Sequence, residues 1–232
     1  MNKILFGILL LLLMINGYNS SAQTVYERDQ LFTTTEGKVT ILLLKEDKSP
    51  LSGNAKIIEN NRKYTIASYR KGMVDGYYQE FGNGKVIRQG FYRLGRKDGK
   101  WEEFFPDGAI CKRSFYANGE LQGEVTTYFS DGGIESVRTY IQGKKEGIER
   151  VYFPNRKERF VKHYHNDKLH GAFFELSEGY NGTTIQTRRN YLNGKIHGKE
   201  ITEVFDISGK RLHLIEISYE NGKETGRKQT SF

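Results

Sequence analysis

Beyond residue 68 the apolar positions fall in stretches of about eight residues, broken at regular intervals by polar steps that contain glycine. Residues 116–139 show the pattern in one unit. Asn118 and Gly119 form the first polar step, and both residue types tolerate the positive φ that a type I′ hairpin turn requires. Residues 120–129 then read as a strand, Ser130, Asp131 and Gly132 as a second turn, and residues 134–139 as the returning strand. Pro106, Asp107 and Gly108 occupy the second-turn position in another unit, as do Gly82, Asn83 and Gly84. Pro154, Asn155 and Arg156 stand there without a glycine, which predicts a different turn. Two strands and two short turns use up the unit and leave no room for a helix. Strands joined by short turns are antiparallel neighbours. The prediction is an all-β chain, an elongated antiparallel β-meander or ribbon of about seven ~24-residue two-stranded repeats.

The repeat is anchored on tyrosine. Tyr69, Tyr92, Tyr116, Tyr140, Tyr164, Tyr191 and Tyr219 are spaced 23, 24, 24, 24, 27 and 28 residues apart. Seven residues after each stands a glycine: Gly76, Gly99, Gly123, Gly147, Gly171, Gly198 and Gly226. With glycine at 26 of 232 residues, seven hits at one offset would arise by chance roughly once in five million. Three residues after each tyrosine stands the turn glycine, with Asp167 as the exception. The glycine at the seventh position lies inside a predicted strand, where it marks a bulge or a close approach. Tyr78, Trp101, Val125 and Phe173 lie two residues past it, and Phe104, Tyr128 and Tyr152 follow three residues later in their units. These positions read as core-forming ladders, because aromatic cross-strand pairs hold sheets together.

The ends are less regular. Residues 1–22 carry Lys3, an apolar run over 4–15 and a small-residue step at Ser20 and Ala22. This reads as a signal peptide cleaved after Ala22, since twelve helical residues span only ~18 Å of a ~30 Å membrane core. Residues 23–43 form an N-terminal lead segment, polar and loose over 23–38, then strand-like over 39–44. Residues 44–232 are the array: a degenerate cap over 44–68 and repeats over 69–232. The fifth unit carries an insertion at 177–182 that reads as an extended turn.

Composition adds little to this. Tyr and Phe total 29 residues against 3 prolines, as expected for many aromatic strands. The net charge of +8 becomes +7 without Lys3 and favours an acidic partner without specifying one. The lone Cys111 forms no intrachain disulfide.

The units at 191–198 and 219–226 read Tyr-x-Asn-Gly-Lys-x-x-Gly. This spacing, repeated across 44–232, resembles the bacterial MORN-repeat variant family, which includes YwqK-type antitoxin-like proteins. The resemblance implies a β-ribbon built of hairpins, with roles in membrane-lipid contact, protein scaffolding or toxin neutralisation.

No serine-nucleophile elbow, phosphate loop or zinc-binding His-Glu-x-x-His is present. His163 and His165 flank Tyr164 on one strand face but lack a ligand set. Asp75, Asp98, Gln122, Glu146, His170, His197 and Thr225 fill one slot along the array and read as a solvated edge. Arg88, Lys112, Arg138, Lys162 and Arg189 stand four or two residues before the next tyrosine and so share one face. They form a possible ligand-facing basic stripe for an anionic lipid, glycan or acidic protein, or a face offset by acids such as Glu80, Glu103 and Glu175. No catalytic, cofactor or metal residues are assigned. The expected function is an exported, non-catalytic binding or scaffold module for a protein or an anionic envelope component, with neither nucleic acid nor a transmembrane segment after cleavage. An antitoxin or immunity role is the alternative, and an enzyme with an unrecognised site near 177–182 is the second.

Overall fold

The computed structural model describes residues 23–232; the signal-peptide expectation for 1–22 and its cleavage after Ala22 lie outside the described residues. The chain is all-β. Strand Gly53–Asn60 pairs antiparallel with Lys63–Arg70, that strand with Met73–Gly82, and so on in chain order to Lys223–Ser231. Thr24–Glu27 extends the sheet beside Gly53–Asn60, in parallel. A second, two-stranded sheet is the hairpin of Leu31–Glu36 and Val39–Leu44. From Arg96 onward each strand packs substantially only on its sheet neighbours, so the ribbon there is a single layer.

The period has a geometric cause. Each anchor tyrosine after Tyr69 lies directly across from the in-strand glycine of the preceding unit: Gly76 from Tyr92, Gly99 from Tyr116, Gly123 from Tyr140, Gly147 from Tyr164, Gly171 from Tyr191 and Gly198 from Tyr219. These six glycines have φ between 67° and 131°, a region that side-chain-bearing residues avoid. They are the expected bulges. Gly226 is not in that region.

The first turns are type I′ throughout. Asn118 and Gly119 have φ of 51° and 89°, and Asn166 and Asp167 have 48° and 65°. Asp167 therefore adopts the glycine's conformation, and its Oδ1 accepts the Lys145 N–H at 2.8 Å. The turns are stitched to one another. The amide of the second turn residue donates to the preceding repeat, from Gly95 to Val74 O (2.7 Å), Gly119 to Lys97 O (2.8 Å), Gly143 to Leu121 O (2.8 Å) and Gly194 to Leu169 O (2.7 Å). The slot expected to be a solvated edge supplies a second stitch. Asp75 accepts the Leu94 N–H (3.1 Å), Gln122 that of Gln142 (2.9 Å) and Glu146 that of Asn166 (2.9 Å). Asp, Gln and Glu all serve at these three positions because an acceptor is all they must provide.

The second turn of the fourth unit is not different. Arg156 takes the glycine position with φ of 69°, and the bonds from Phe153 N to Lys157 O and from Arg156 N to Phe153 O (both 2.9 Å) match those at Phe129, Gly132 and Gly133. Arg156 folds back onto the neighbouring turn, binding Asp131 at 2.8 Å and lying over the Phe129 ring.

Residues 23–38 are not loose. Leu31 is buried with Leu51, Ala55, Ile57, Ala67 and Tyr69, and Tyr26, Leu42 and Leu44 pack around them. The hairpin is tied to the first repeat by Leu42 N to Gly72 O and Gly72 N to Leu51 O, both 2.8 Å. A short polar segment hides this role because its pairing partner lies about thirty residues away.

The two expected ladders separate onto opposite faces, since positions three apart in a strand point opposite ways. Trp101, Val125 and Phe173 are buried, whereas Phe104, Tyr128 and Tyr152 are half-buried on the other face. Trp101 lies flat on Gly90, packs edge-on against Tyr92 (5.0 Å) and Tyr116 (6.3 Å), and donates its indole N–H to Phe91 O at 3.0 Å.

Two substitutions test this packing. A Cβ on Gly90 would sit 2.3 Å from the Trp101 ring, so Gly90→Ala is expected to cost about 1–3 kcal/mol, read by urea denaturation followed through Trp101 emission. Leu94 is half-exposed at φ 48°, so Leu94→Asn is expected to raise stability by about 1 kcal/mol in the same assay.

Candidate functional site

The five stripe residues do share a face. Arg88 and Lys112 lie in one cross-strand row, and Arg138, Lys162 and Arg189 in the adjacent row of that face. The structure also places carboxylates among them. Glu80 meets Arg88 and, at 2.9 Å, Lys63. Lys112 meets Glu103 at 3.1 Å, and Arg138 meets Glu149 at 2.6 Å. Arg189 lies between Glu200 (3.2 Å) and Glu175 (3.6 Å). Lys162 sits over the Phe160 ring at 4.5 Å. Five cations thus stand among five carboxylates, and Glu80 and Glu149 are only 2% and 5% exposed. Glu149 and Glu200 escaped the sequence reading because they become partners only through cross-strand register.

Burial pushes the Glu80 carboxyl up, but hydrogen bonds from Arg88 and Lys63 outweigh it and hold the group at about 2, below its ordinary 4.5. Glu149 is lowered for the same reasons, with burial opposed by Arg138 and Lys145. Stability from such a group is complete above its unfolded value and is lost as pH falls through the folded one. Stability is therefore expected to decline between pH 4.5 and about 2. Glu80→Gln should lower stability at pH 7 and flatten that decline, as measured by urea midpoints across the range.

The histidines have separate partners. His163 Nδ1 is 2.7 Å from Ala172 O, and His165 Nδ1 is 2.8 Å from Glu146. His170 Nδ1 accepts the Asn193 N–H at 3.5 Å, serving the slot described above. Among the described residues no group of three His, Cys, Asp or Glu side chains is placed to hold a metal ion.

The insertion forms a short 3-10 turn at Tyr180–Gly182 and borders a shallow depression of about 520 Å³. Lys157, Thr184, Gln186, Asp206 and Ser208 line it. The Asp206 carboxylate accepts the Ser208 hydroxyl (2.6 Å) and the amides of Ser208 (2.8 Å) and Lys210 (2.9 Å), so it is engaged in closing its own turn.

The half-buried aromatic row on the opposite face was read with the core, and its separate placement follows from strand parity. Phe81, Phe104, Tyr128, Tyr152 and Phe205 recur there near the ends of their strands.

No family model matches the chain, and no curated protein does. Among solved structures the chain is similar to a mutant of TarM from S. aureus in complex with fondaparinux, α-GlcNAc-glycerol and UDP. That likeness has 15% identity, covers 68% of this chain and 24% of the other, and has a TM-score of 0.17. The chain thus spans about a quarter of that protein's length, and a score so low carries no argument.

Proposed function

We propose that this chain is an exported, non-catalytic binding module of the MORN-variant type, presenting its ribbon to a protein or an envelope component. The observation that carries the reading is the presentation of equivalent side chains at equivalent points of one stitched sheet, repeat after repeat. Such a surface suits an extended or repeating partner, because many weak contacts in fixed geometry add to useful avidity. With four of its five stripe charges met by carboxylates and the fifth over an aromatic ring, the ribbon does not depend on bulk attraction for its selectivity. No helix among the described residues is long and apolar enough to cross a membrane.

Immobilised protein of residues 23–232 is expected to retain a defined component from envelope extracts, displaced by excess free protein. Retention of nothing above an unrelated β-protein control would overturn the reading. Export is tested separately: N-terminal sequencing of the protein from the producing cell should begin at Gln23, and a chain retaining residues 1–22 in the membrane fraction would contradict it.

A further inference from the structure

The aromatic row has a second regularity. The sheet register shifts at each of its five rings, between Glu80 and Phe81, Glu103 and Phe104, Thr127 and Tyr128, Val151 and Tyr152, and Val204 and Phe205. In each case the returning strand carries one extra residue, namely Ile87, Cys111, Glu135, Arg159 and Leu212. Each bulge lies in the returning strand opposite the ring, three residues past the positive-φ residue of the second turn, so the turn fixes where the strand bends beside each ring. Packing alone requires a ring against an apolar partner, yet the partners range from Val86 and Ile110 to Glu158 and Arg211.

Each ring has a polar companion two residues earlier on the same face: Gln79, Glu102, Thr126, Arg150 and Glu203. The charged companions are paired, Glu102 with Arg113 (3.3 Å) and Lys100 (3.0 Å), Arg150 with Glu158 (3.4 Å), and Glu203 with Arg188 (2.8 Å) and Arg211 (2.9 Å). Glu102 and Thr126 are buried beneath the row, so it offers half-exposed rings, hydrogen-bonding groups at Gln79, Arg150 and Glu203, and little uncompensated charge. Equivalent positions recur every two strands, roughly 10 Å, a separation that matches two sugar rings of an extended polysaccharide. Sugar rings have an apolar face of C–H groups that stacks on aromatics, and hydroxyls that need polar partners. The fifth repeat, which carries the insertion, has Leu176 at the ring's position and interrupts the row.

We propose that this face binds an uncharged, extended β-linked polysaccharide, with successive aromatic rings stacking on alternate sugars. The proposal rests on the binding-module reading and names its partner class. Its signature is length dependence, since a chain spanning several rings gains avidity that a short one lacks.

The test is calorimetric titration of residues 23–232 with β-1,4-linked glucose and N-acetylglucosamine oligosaccharides of two, four and six sugars. In one of the two series the hexasaccharide is expected to bind roughly tenfold tighter than the disaccharide. The variant Tyr128→Ala/Tyr152→Ala should weaken that binding roughly tenfold, whereas Glu103→Gln on the opposite face should leave it unchanged. On the unaltered protein, ring-proton NMR signals of Tyr128 and Tyr152 should move on saturation while the Trp101 indole signal stays put, a readout independent of how the double variant folds. Absence of binding by both hexasaccharides, equal affinity at all lengths, or unmoved tyrosine signals would overturn the proposal. If a competable envelope protein is still captured, the module reading survives that loss; if nothing is captured, both fall.

Discussion

A sheet one layer thick can hide apolar surface only between neighbouring strands, and every other feature of this protein answers that constraint. The aromatic side chains of one repeat have no second sheet to meet, so they lie down on the repeat before them. For Trp101 this requires a bare patch of backbone beneath the ring, which Gly90 provides. The in-strand glycines from Gly76 to Gly198 serve a different need, the positive φ of their bulges. Polar groups become buried by the same means: Ser114 and Ser136 are each 1% exposed because longer neighbours cover them. Among the described residues a second layer exists only where the hairpin of residues 31–44 covers the first repeats and builds an ordinary apolar core.

The electrostatics follow from the same geometry. Long cationic side chains lying along a bare sheet would leave large fields on one side. Register instead sets a carboxylate beside the cation, as Arg138 shows with Glu149 and Arg189 with Glu200. Lys162, across from Glu149, lies instead over an aromatic ring. The face gains rigidity from fixed pairs and gives up reach, because a cation already bonded to a carboxylate is a poor ligand for a passing anion.

Much of this was legible in residue spacing. Tyrosines about 24 residues apart, each with glycines three and seven residues on, were enough to place turns, bulges and strand order, and offsets of two and four put the stripe on one face. What spacing could not reveal depends on contacts made across strands. Arg156 and Asp167 stand where glycine is expected, and each keeps the glycine's geometry because a neighbouring repeat holds it, through Asp131 in one case and Lys145 in the other. Residues 23–38 looked featureless because Leu31 finds its partners only once Thr24–Glu27 pairs with a distant strand. The aromatic row was merged with the core because both ladders recur with the same period; strand parity separates them, and the bulges that single it out appear only in the register.

The turn-glycine amides all point the same way. Gly95 donates to Val74, Gly119 to Lys97, Gly143 to Leu121 and Gly222 to Ile196, from the later repeat to the earlier. These backbone stitches have a direction, while the Lys145 amide donates forward to Asp167 and the sheet ladders donate both ways. Each repeat offers a carbonyl to the turn of the one that follows. The cap, whose Leu51 carbonyl receives Gly72, starts the series. A chain threaded through a membrane from its N-terminus would deliver these pieces in the order of assembly, so every new hairpin would emerge beside a template already in place.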